Sequence, residues 1–260
     1  MDENFYTVIR DLRTGRIVRH SKPIPLSKWP FRVAEPDGRL WRYGDYWKMK
    51  GLLVAGEMYF RRADRLADVK EGRFTKANIE GASLIGESLG LPESNADIIK
   101  IQESHRCRVF LNCWHRNHAE NPRMWSEYTT SPESIVITCG ARGLQHAVAG
   151  RCEAFDVNYI GDDDPIPDFH SMSVFAYKRK DPFEFEREFR LALMLPAEES
   201  VWIDKREDYG RILKIAPKDF IDEVRFHPDA TDAFRALVRA DLAVAGFDVP
   251  IRDAESSPKG

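Results

Sequence analysis

The sequence predicts an α+β fold with a mixed, mostly antiparallel central sheet flanked by helices. A compact strand–helix–strand unit opens the main part of the chain, at residues 40–60. The stretch 109–115 has apolar residues at both odd and even positions, which is typical of a strand covered on both faces. Two late strands and an amphipathic helix at 231–246 complete the pattern.

Composition and charge are those of an ordinary globular chain. Of its 260 residues, 43% are apolar and 31% are charged, and the net charge is -3. That charge argues against a general polyanion binder, although it is compatible with a local basic patch. Four cysteines do not indicate a disulfide framework, the N-terminus has no signal-peptide pattern, and no apolar run has the length of a membrane helix. We therefore expect a cytoplasmic protein with no membrane partner.

Local composition divides the chain into three parts. Residues 1–39 are predicted to form a hairpin, in which Gly15 can take a positive φ, and a proline-rich connector. Prolines between residues 21 and 39 keep that connector from forming a helix or a central strand. Residues 40–251 form the main α+β domain, and residues 252–260 form a disordered tail.

The strand–helix–strand unit has clear boundaries. Residues 40–43 and 57–60 are predicted strands, and the helix between them covers residues 46–55. Asp45 is expected to cap the start of this helix, and Gly56 suits its C-terminal stop. A charged loop then follows the second strand as far as residue 72.

Further elements follow from apolar periodicity and from capping residues. Asn121 and Pro122 mark the start of a short helix after the central strand. Asp181 and Glu184 can form a capping box, after which a strand begins near Glu188. The remaining helices are predicted at 76–90, 95–105, 142–148 and 231–246, and the remaining strands at 134–139, 151–160, 211–216 and 223–226.

Histidine and cysteine residues gather between positions 105 and 118. Their spacing matches no common zinc motif, and Cys107 and Cys113 would lie about 20 Å apart on one strand. Cys113 near His115 could be a nucleophile with its base, yet a cysteine inside a strand is more often part of the core. We favour the core interpretation and expect no metal, while His115 stays a residue to test. The sequence also lacks the motifs of common hydrolases, NTPases and dehydrogenases.

The alternation of Glu186, Glu188 and Arg190 is the strongest catalytic signal. A glutamate on the polar face of a strand can hydrogen-bond a sugar hydroxyl and stabilise an oxocarbenium-like centre. Phe189 and the apolar residues that alternate with it would face the core. For such a pattern by itself, a solvated acidic edge with a Glu–Arg cross-pair is the more common explanation.

Arginine and aromatic side chains lie at the ends of the two opening strands. Arg42 and Tyr43 end the first strand, and Arg62 follows the second. Arginine forks suit a pyrophosphate, and aromatic rings suit stacking on a base or on nicotinamide. The usual alternative for such residues is a surface loop with mixed ion pairs. Aromatic residues such as Trp125 and Tyr128 are more often core than stacking platforms.

The order of several motifs resembles an uncharacterised bacterial domain-of-unknown-function family. The motifs are LWRYGDYWKMKGLLVAGEMYFRRADRLAD, NCWH, MWSEY with IVIT, and FEFEREFR, within residues 40–247. The chain departs from the family twice. The family's Asn-Asp-Pro after the second strand is replaced by Leu66-Ala67-Asp68-Val69, and its Glu-Ser before the MW by Glu120-Asn121. The family implies no reaction.

The chain is also similar to ADP-ribosyltransferases, which implies a fold and a reaction. The similarity rests on the opening strand–helix–strand unit and on a late strand that begins with Glu-x-Glu, although the Ser-Thr-Ser of toxin-like members is missing. It implies that Glu188, with Glu186, is the catalytic carboxylate. It also implies that Arg42 holds the phosphates or ribose of NAD and that Tyr59 or Phe60 lines the nicotinamide pocket. The expected cofactor-binding residues are Arg42, Tyr43, Tyr59, Arg62, His115 and Tyr128.

The leading hypothesis is a glycosyltransferase of the ADP-ribosyltransferase type that uses NAD as a substrate, without a metal. Its acceptor is a nucleic acid or a protein, and a bacterial defence or toxin–antitoxin role, with an antitoxin partner, would suit it. A metal-dependent nuclease that uses Glu120, Glu186 and Glu188 is one alternative. The other is a non-enzymatic nucleic-acid or partner-binding module. Its surface patch would consist of Arg61, Arg62, Arg65, Lys178, Arg179 and Lys180.

Overall fold

The computed structural model describes residues 33–81, 95–166, 173–195 and 209–254, and the backbone of four short strands before them. The fold is α+β, as predicted. The helices are α1 (Tyr46–Ala55), α2 (described from 76 to 81), α3 (Asn95–Arg106), α4 (Pro122–Tyr128), α5 (Ala141–Val148), α6 (Lys180–Phe183) and α7 (Asp232–Val244). The strands are β1 (Asn4–Phe5), β2 (Val8–Arg10), β3 (Ile17–His20), β4 (Ile24–Pro25), β5 (Arg39–Asp45), β6 (Glu57–Arg62), β7 (Val109–Arg116), β8 (Ser134–Gly140), β9 (Glu153–Asp156), β10 (Asn158–Ile160), β11 (Tyr177–Arg179), β12 (Glu188–Met194), β13 (Gly210–Lys214), β14 (Ile221–Phe226) and β15 (Ile251–Asp253).

Within the described residues, nine strands form one large sheet. Seven of them follow the order β13-β6-β7-β5-β8-β14-β15, and β12 pairs with both β7 and β9. The pair β14–β15 is parallel, whereas the other pairs of this sheet are antiparallel, which confirms the predicted mixed, mostly antiparallel sheet. The smaller sheets are β1-β4, β2-β3 and β10-β11.

The large sheet is organised around β7. Along one edge, β7 pairs with β12 over its length, from His115 opposite Glu188 to Val109 opposite Met194. Along the other edge it pairs with β6 near its start and with β5 near its end, so β5 and β6 diverge between these two points. Both faces of β7 are covered, as its apolar residues of both parities predict.

The two faces of the sheet carry different side chains, because side chains alternate along each strand. The face that we call the helical face packs against α1, α5 and α7 and holds the main apolar core, including Trp114 and Phe189. The opposite face, which we call the carboxylate face, carries side chains such as Cys113 and Glu188. Two smaller apolar clusters, one of them with residues of α4, lie on the carboxylate face.

The opening strand–helix–strand unit forms as predicted, from β5, α1 and β6. Gly56 ends α1 with a φ of 63°, and a Cβ atom at this position would lie 2.3 Å from the carbonyl oxygen of Ile215. Asp45 precedes α1, but its carboxylate does not cap the helix. It accepts hydrogen bonds from Thr130 and Ser134 and thereby ties β5 to the start of β8 and to the segment before it.

Two further local predictions need correction. The single strand predicted at 151–160 is divided into β9, which pairs with β12, and β10, which pairs with β11 in a different sheet. Val157 between them still donates its N–H to the carbonyl oxygen of Glu188. The predicted capping box does not form, since Asp181 and Pro182 have non-helical backbone angles. A 3₁₀ turn over Glu184–Glu186 leads into β12 instead.

The two ends of the chain are described in part. β2 and β3 pair antiparallel, as expected for the predicted hairpin, and residues 11–16 between them lie outside the described part. β15 pairs with β14 as far as Asp253, so strand structure continues beyond the predicted start of the tail at Arg252. Parts of the helix predicted at 76–90 and of the tail fall on residues 82–94 and 255–260, which also lie outside the described part.

Candidate functional site

Five buried charged side chains meet on the carboxylate face. Glu188 begins β12, as the sequence predicts, and Arg190 follows it on the same face. Lys178 comes from β11, Glu186 from the 3₁₀ turn before β12, and Glu71 from the loop after β6. We call Glu71, Lys178, Glu186, Glu188 and Arg190 the carboxylate cluster.

The backbone at Arg187 explains why the two neighbouring glutamates converge. Its φ is 40°, in the left-handed region that residues other than glycine seldom adopt. Glu186 ends the 3₁₀ turn and Glu188 opens β12, and the bend at Arg187 directs both carboxylates toward Lys178. The ammonium group of Lys178 donates to Glu188 Oε2 at 3.2 Å and also to Glu186 Oε2. One lysine therefore bridges both glutamates.

Arg190 completes the cluster with its whole side chain inaccessible to solvent. Its Nε and Nη2 atoms donate to Glu188 at 2.6 and 3.1 Å, and its Nη1 and Nη2 atoms each donate to Glu71 at 2.6 Å. Nη1 also donates to the carbonyl oxygen of Phe175 at 2.8 Å, which accounts for all five N–H groups of the guanidinium. A fork that is paired in this way fixes the orientation of Glu188.

The surroundings move the pKa values of the two bridged glutamates in opposite directions. Burial raises the pKa of Glu186 above its ordinary value of 4.5, and the attraction of Lys178 offsets this effect in part. Burial also opposes the ionisation of Glu188, but Arg190 and Lys178 outweigh it and hold the pKa of Glu188 below 4.5. Adjacent carboxyl groups with separated pKa values are typical of sites that pair a proton-transfer group with an ionised group.

Tyr128 connects the carboxylate cluster to solvent. It is 40% exposed, it ends α4, and its hydroxyl donates to Glu186 Oε1. On the inner side of the cluster, the hydroxyl of Tyr159 accepts a hydrogen bond from the backbone N–H of Glu188 at 2.9 Å. Burial is the main reason why the pKa values of both phenols are raised, so both hydroxyl groups stay protonated.

The start of α4 positions Tyr128 and agrees with the sequence. Pro122 lies in the first turn, and the side chain of Asn121 accepts a hydrogen bond from the backbone N–H of Arg123 at 3.1 Å. Trp125 anchors the helix in the apolar cluster beside β5. Tyr128, one turn further along, reaches Glu186 from the end of this anchored helix.

His115 and Cys113 lie on β7 opposite the first residues of β12. Nδ1 of His115 is 2.6 Å from the carbonyl oxygen of Glu186, so Nδ1 carries the proton, and Nε2 accepts from the side-chain amide of Asn121 at 3.4 Å. Burial lowers the pKa of His115 and raises the pKa of the Cys113 thiol. His115 is therefore neutral near pH 7, and Cys113 stays a thiol, which disfavours a nucleophilic cysteine.

Arg42 lies on the helical face, away from the two glutamates. Its Nη1 atom donates to the carbonyl oxygen of Cys113 at 2.6 Å and to Asn112 Oδ1 at 3.2 Å, and its guanidinium lies 5.8 Å from the ring centroid of Trp114. Asn112 in turn donates to the carbonyl oxygen of Tyr59 at 2.8 Å. These side chains fill the opening where β5 and β6 diverge. The structure therefore does not bring Arg42 to the glutamates.

The other expected cofactor-binding residues have three different surroundings. Arg62 is buried on the helical face, where it donates to both oxygens of Asp64 at 2.6 and 3.1 Å. Tyr43 is buried on the carboxylate face, with its ring 5.0 Å from that of Trp125. Tyr59 lies on the same face and is 42% exposed. Tyr43 and Arg62 are thus part of the packed interior, whereas Tyr59 is open to solvent.

The cluster therefore contains some predicted residues and some that sequence reasoning missed. The structure brings together four of the predicted residues, namely Glu186, Glu188, His115 and Tyr128. The sequence predicts Lys178 in a surface patch with Arg62 and Arg179, but these three side chains are buried in ion pairs. Glu71 and Tyr159 carry no local signal that separates them from other loop and strand residues.

Glu120 is engaged elsewhere, so the ligand set expected of a nuclease does not assemble. Its two oxygens accept hydrogen bonds from Trp125 Nε1 at 2.7 Å and from Arg225 Nη1 at 3.1 Å. In the part of the chain that the structure describes, no three His, Cys, Asp or Glu side chains converge as metal ligands would. Lys178 occupies the position between Glu186 and Glu188 that a cation would take.

Comparisons with known proteins give no family. No protein-family model matches the chain, and neither a curated protein nor a solved structure matches it. Among the described helices, none combines the length and the apolar character needed to cross a membrane. The chemistry of the site therefore follows from its own residues.

Proposed function

We propose that this chain is an ADP-ribosyltransferase that cleaves NAD between nicotinamide and ribose and transfers ADP-ribose to a nucleic acid or a protein. The carboxylate cluster supports the proposal, because a glutamate kept ionised lies beside a glutamate with a raised pKa. Glycosyl transfer uses such a pair, one group to stabilise an oxocarbenium-like centre and one to move a proton. NAD is a substrate of this reaction, which we place in the cytoplasm.

The charge of the carboxylate cluster fits a cationic reaction centre. Its three carboxylates exceed its two cations by one negative charge when all are ionised. The nicotinamide ring of NAD is positively charged, and the charge moves to the ribose as the bond between them breaks. A preorganised negative site that is shielded from water stabilises such a centre more strongly than bulk water does.

Glu188 and Glu186 have separate roles in this reaction. Glu188, held ionised by Arg190 and Lys178, stabilises the positive charge on the ribose. Nicotinamide leaves as a neutral molecule with the electron pair of the broken bond, so it needs no proton. The acceptor loses a proton when its O–H or N–H group attacks C1′, and the carboxylate of Glu186 accepts that proton. A raised pKa makes Glu186 a better proton acceptor near neutral pH.

The solvent edge of the cluster supplies groups that suit the phosphates of NAD. Arg123 is exposed on the same helix as Tyr128, and Arg187 is exposed between the two glutamates. These two guanidinium groups take the phosphate-binding role in place of Arg42 and Arg62, which lie buried on the helical face.

Transfer of label from NAD tests the proposal. We would incubate NAD labelled in its adenine part with the purified chain and with single-stranded RNA, single-stranded DNA and protein acceptors. The wild type should transfer label, and Glu188→Gln should not. Glu184→Gln is the matched control and should transfer label normally, because Glu184 is exposed and pairs with Lys180 at the surface. If the wild type neither releases nicotinamide nor labels any acceptor, the proposal is wrong.

A further inference from the structure

An exposed aromatic and basic surface lies at the β13 end of the large sheet. Tyr59, Tyr209 and Ile212 are 42%, 54% and 57% exposed. Arg61 is exposed near the end of β6, and Arg65 lies partly exposed in the 3₁₀ turn that follows it. We call Tyr59, Arg61, Arg65, Tyr209 and Ile212 the tyrosine–arginine edge.

Strand register places Tyr59, Arg61 and Ile212 of this edge on the same face of the sheet as the carboxylate cluster, since Ile212 pairs with Tyr59 and Arg61 pairs with β7. Arg61 pairs with Leu111 of β7, and Leu111 shares its face with Cys113 because the two residues are two positions apart. Tyr59, two positions from Arg61, therefore also points to the carboxylate face. β7 lies between β6 and β12, so the Cα atom of Arg61, which pairs with β7, is roughly 17 Å from that of Glu188, at ~4.8 Å per strand and ~3.4 Å per residue.

The rings of the tyrosine–arginine edge are held in defined positions. The hydroxyl of Tyr59 donates to the carbonyl oxygen of Tyr209 at 3.2 Å. The Tyr59 ring covers Gly210 so closely that a Cβ atom on Gly210 would lie 2.3 Å from Cε2 of the ring. Arg65 lies 5.2 Å from the ring centroid of Tyr209, and its carbonyl oxygen accepts from Arg61 Nε at 2.6 Å. Glycine at 210 therefore lets the Tyr59 ring lie flat, with its other side toward solvent.

The tyrosine–arginine edge carries two arginine side chains, Arg61 and Arg65, although the whole chain is slightly acidic. Of the neighbouring charged residues, Arg62 is buried with Asp64, and Lys214 pairs with Glu57. The whole chain has a net charge of -3. A basic surface on an acidic chain is a local feature that attracts anions, and phosphate groups are the anions that arginine forks pair with best.

We propose that the tyrosine–arginine edge binds single-stranded nucleic acid and presents it to the carboxylate cluster as the acceptor. The second part of this inference rests on the proposed function, whereas the first does not. Bases of a single strand stack on exposed aromatic rings while its phosphates pair with neighbouring arginines. A duplex hides its base faces, so the two tyrosines select an unpaired strand.

Binding without NAD tests the first part. Fluorescence anisotropy would follow labelled single-stranded RNA, single-stranded DNA and duplex DNA of about a dozen nucleotides, with salt varied. We expect single strands to bind more tightly than the duplex, with affinity that falls as salt rises. Tyr59→Ala and Arg61→Ala should each weaken binding about tenfold, because the first removes a stacked base and the second removes a phosphate contact. The comparison of RNA with DNA identifies the preferred strand.

Matched controls come from exposed residues on the helical side of the sheet. Trp47 is an exposed aromatic residue of α1, and Arg142 is an exposed arginine of α5. Trp47→Ala and Arg142→Ala should bind oligonucleotides as the wild type does. If the wild type shows no salt-dependent binding, or if Tyr59→Ala and Arg61→Ala bind as tightly as it does, the inference is overturned.

NAD turnover separates this inference from the proposed function. Oligonucleotide binding at the edge without nicotinamide release by the wild type supports the binding surface and defeats the proposed function. Nicotinamide release by the wild type without oligonucleotide binding supports the proposed function and defeats the binding surface. Labelling of protein but not of any oligonucleotide shows that the acceptor is a protein and overturns the presentation of nucleic acid to the cluster.

Discussion

Glu186 and Glu188 share one ammonium group, that of Lys178, and yet their pKa values are shifted in opposite directions. Their other partners cause the difference. Glu188 also accepts two hydrogen bonds from Arg190, whereas Glu186 accepts from the neutral hydroxyl of Tyr128. The two carboxyl groups are neighbours in the chain and have different charge states because of side chains that come from other elements.

The stability of the protein should respond to pH through these two glutamates with opposite signs. The lowered pKa of Glu188 means that its contribution is present above the ordinary value of 4.5 and is lost as the pH falls. The raised pKa of Glu186 means that its contribution is present below 4.5 and is lost as the pH rises. In urea unfolding from about pH 3 to about pH 8, Glu188→Gln should lose less stability on the acid side than the wild type. Glu186→Gln should lose less stability than the wild type as the pH rises above 4.5. If the unfolding free energies of both variants follow the wild-type dependence on pH, both pKa shifts are contradicted.

Replacement of Lys178 by Met removes the cation that two buried carboxylates share. Loss of one partner from a buried ion pair costs about 3–5 kcal/mol, so the free energy of unfolding at neutral pH should fall by that order. The loss should shrink at lower pH, because protonation of Glu186 removes the repulsion. Lys180→Met is the control, since Lys180 forms an exposed pair with Glu184 that contributes less than about 0.5 kcal/mol. Equal unfolding free energies for the two variants would rule out the bridging role.

The positive φ of Arg187 predicts an unusual order of tolerance at this position. Glycine adopts a φ of 40° freely, whereas a β-branched residue is strained there. The free energy of unfolding of Arg187→Gly should therefore lie within about 0.5 kcal/mol of the wild-type value. That of Arg187→Val should be lower than the wild-type value by about 1–2 kcal/mol. Chemical denaturation measures both. A valine variant that is as stable as the glycine variant would show that the bend between the glutamates is not fixed as described.

Arg42→Met should lower the free energy of unfolding without weakening the binding of NAD. The buried carbonyl oxygen of Cys113 loses its donor, which costs about 1–3 kcal/mol of unfolding free energy. Since Arg42 lies on the helical face, the KM for NAD of the folded variant should stay near the wild-type value. Arg123→Met, at an exposed position of the same helix as Tyr128, should raise the KM for NAD and leave the free energy of unfolding near the wild-type value. A raised KM with unchanged stability in Arg42→Met would restore the NAD-binding role that the sequence predicts for it.

The sheet could be predicted because its signals are local. Apolar residues of both parities at 109–115 predict a strand buried on both faces, and β7 is that strand. Gly56 and Pro122 mark helix boundaries through their own backbone preferences, and both boundaries are where the sequence places them. The start of β12 at Glu188 follows from the same kind of alternation.

The carboxylate cluster could be predicted only in part because its contacts are distant in the sequence. Arg190 meets Glu71, which is 119 residues away, and no short-range pattern links the two. Lys178 belongs to a run of basic residues that is typical of a surface, but in the fold it is buried in ion pairs with Glu186 and Glu188. The sequence predicts the strand that carries Arg42, but this strand continues to Asp45, so Arg42 lies in its middle. The face toward which Arg42 points depends on which strands pair with β5.

The release of nicotinamide from NAD tests the catalytic role of the carboxylate cluster most directly. Initial rates would be compared for the wild type, Glu188→Gln and Glu184→Gln at neutral pH. We expect equal rates for the wild type and Glu184→Gln, and a rate at least about 100-fold lower for Glu188→Gln, as is usual when a preorganised charge-stabilising group is removed. If Glu188→Gln releases nicotinamide as fast as the wild type, or if the wild type releases none, the cluster is a structural ion-pair network and not a catalytic site.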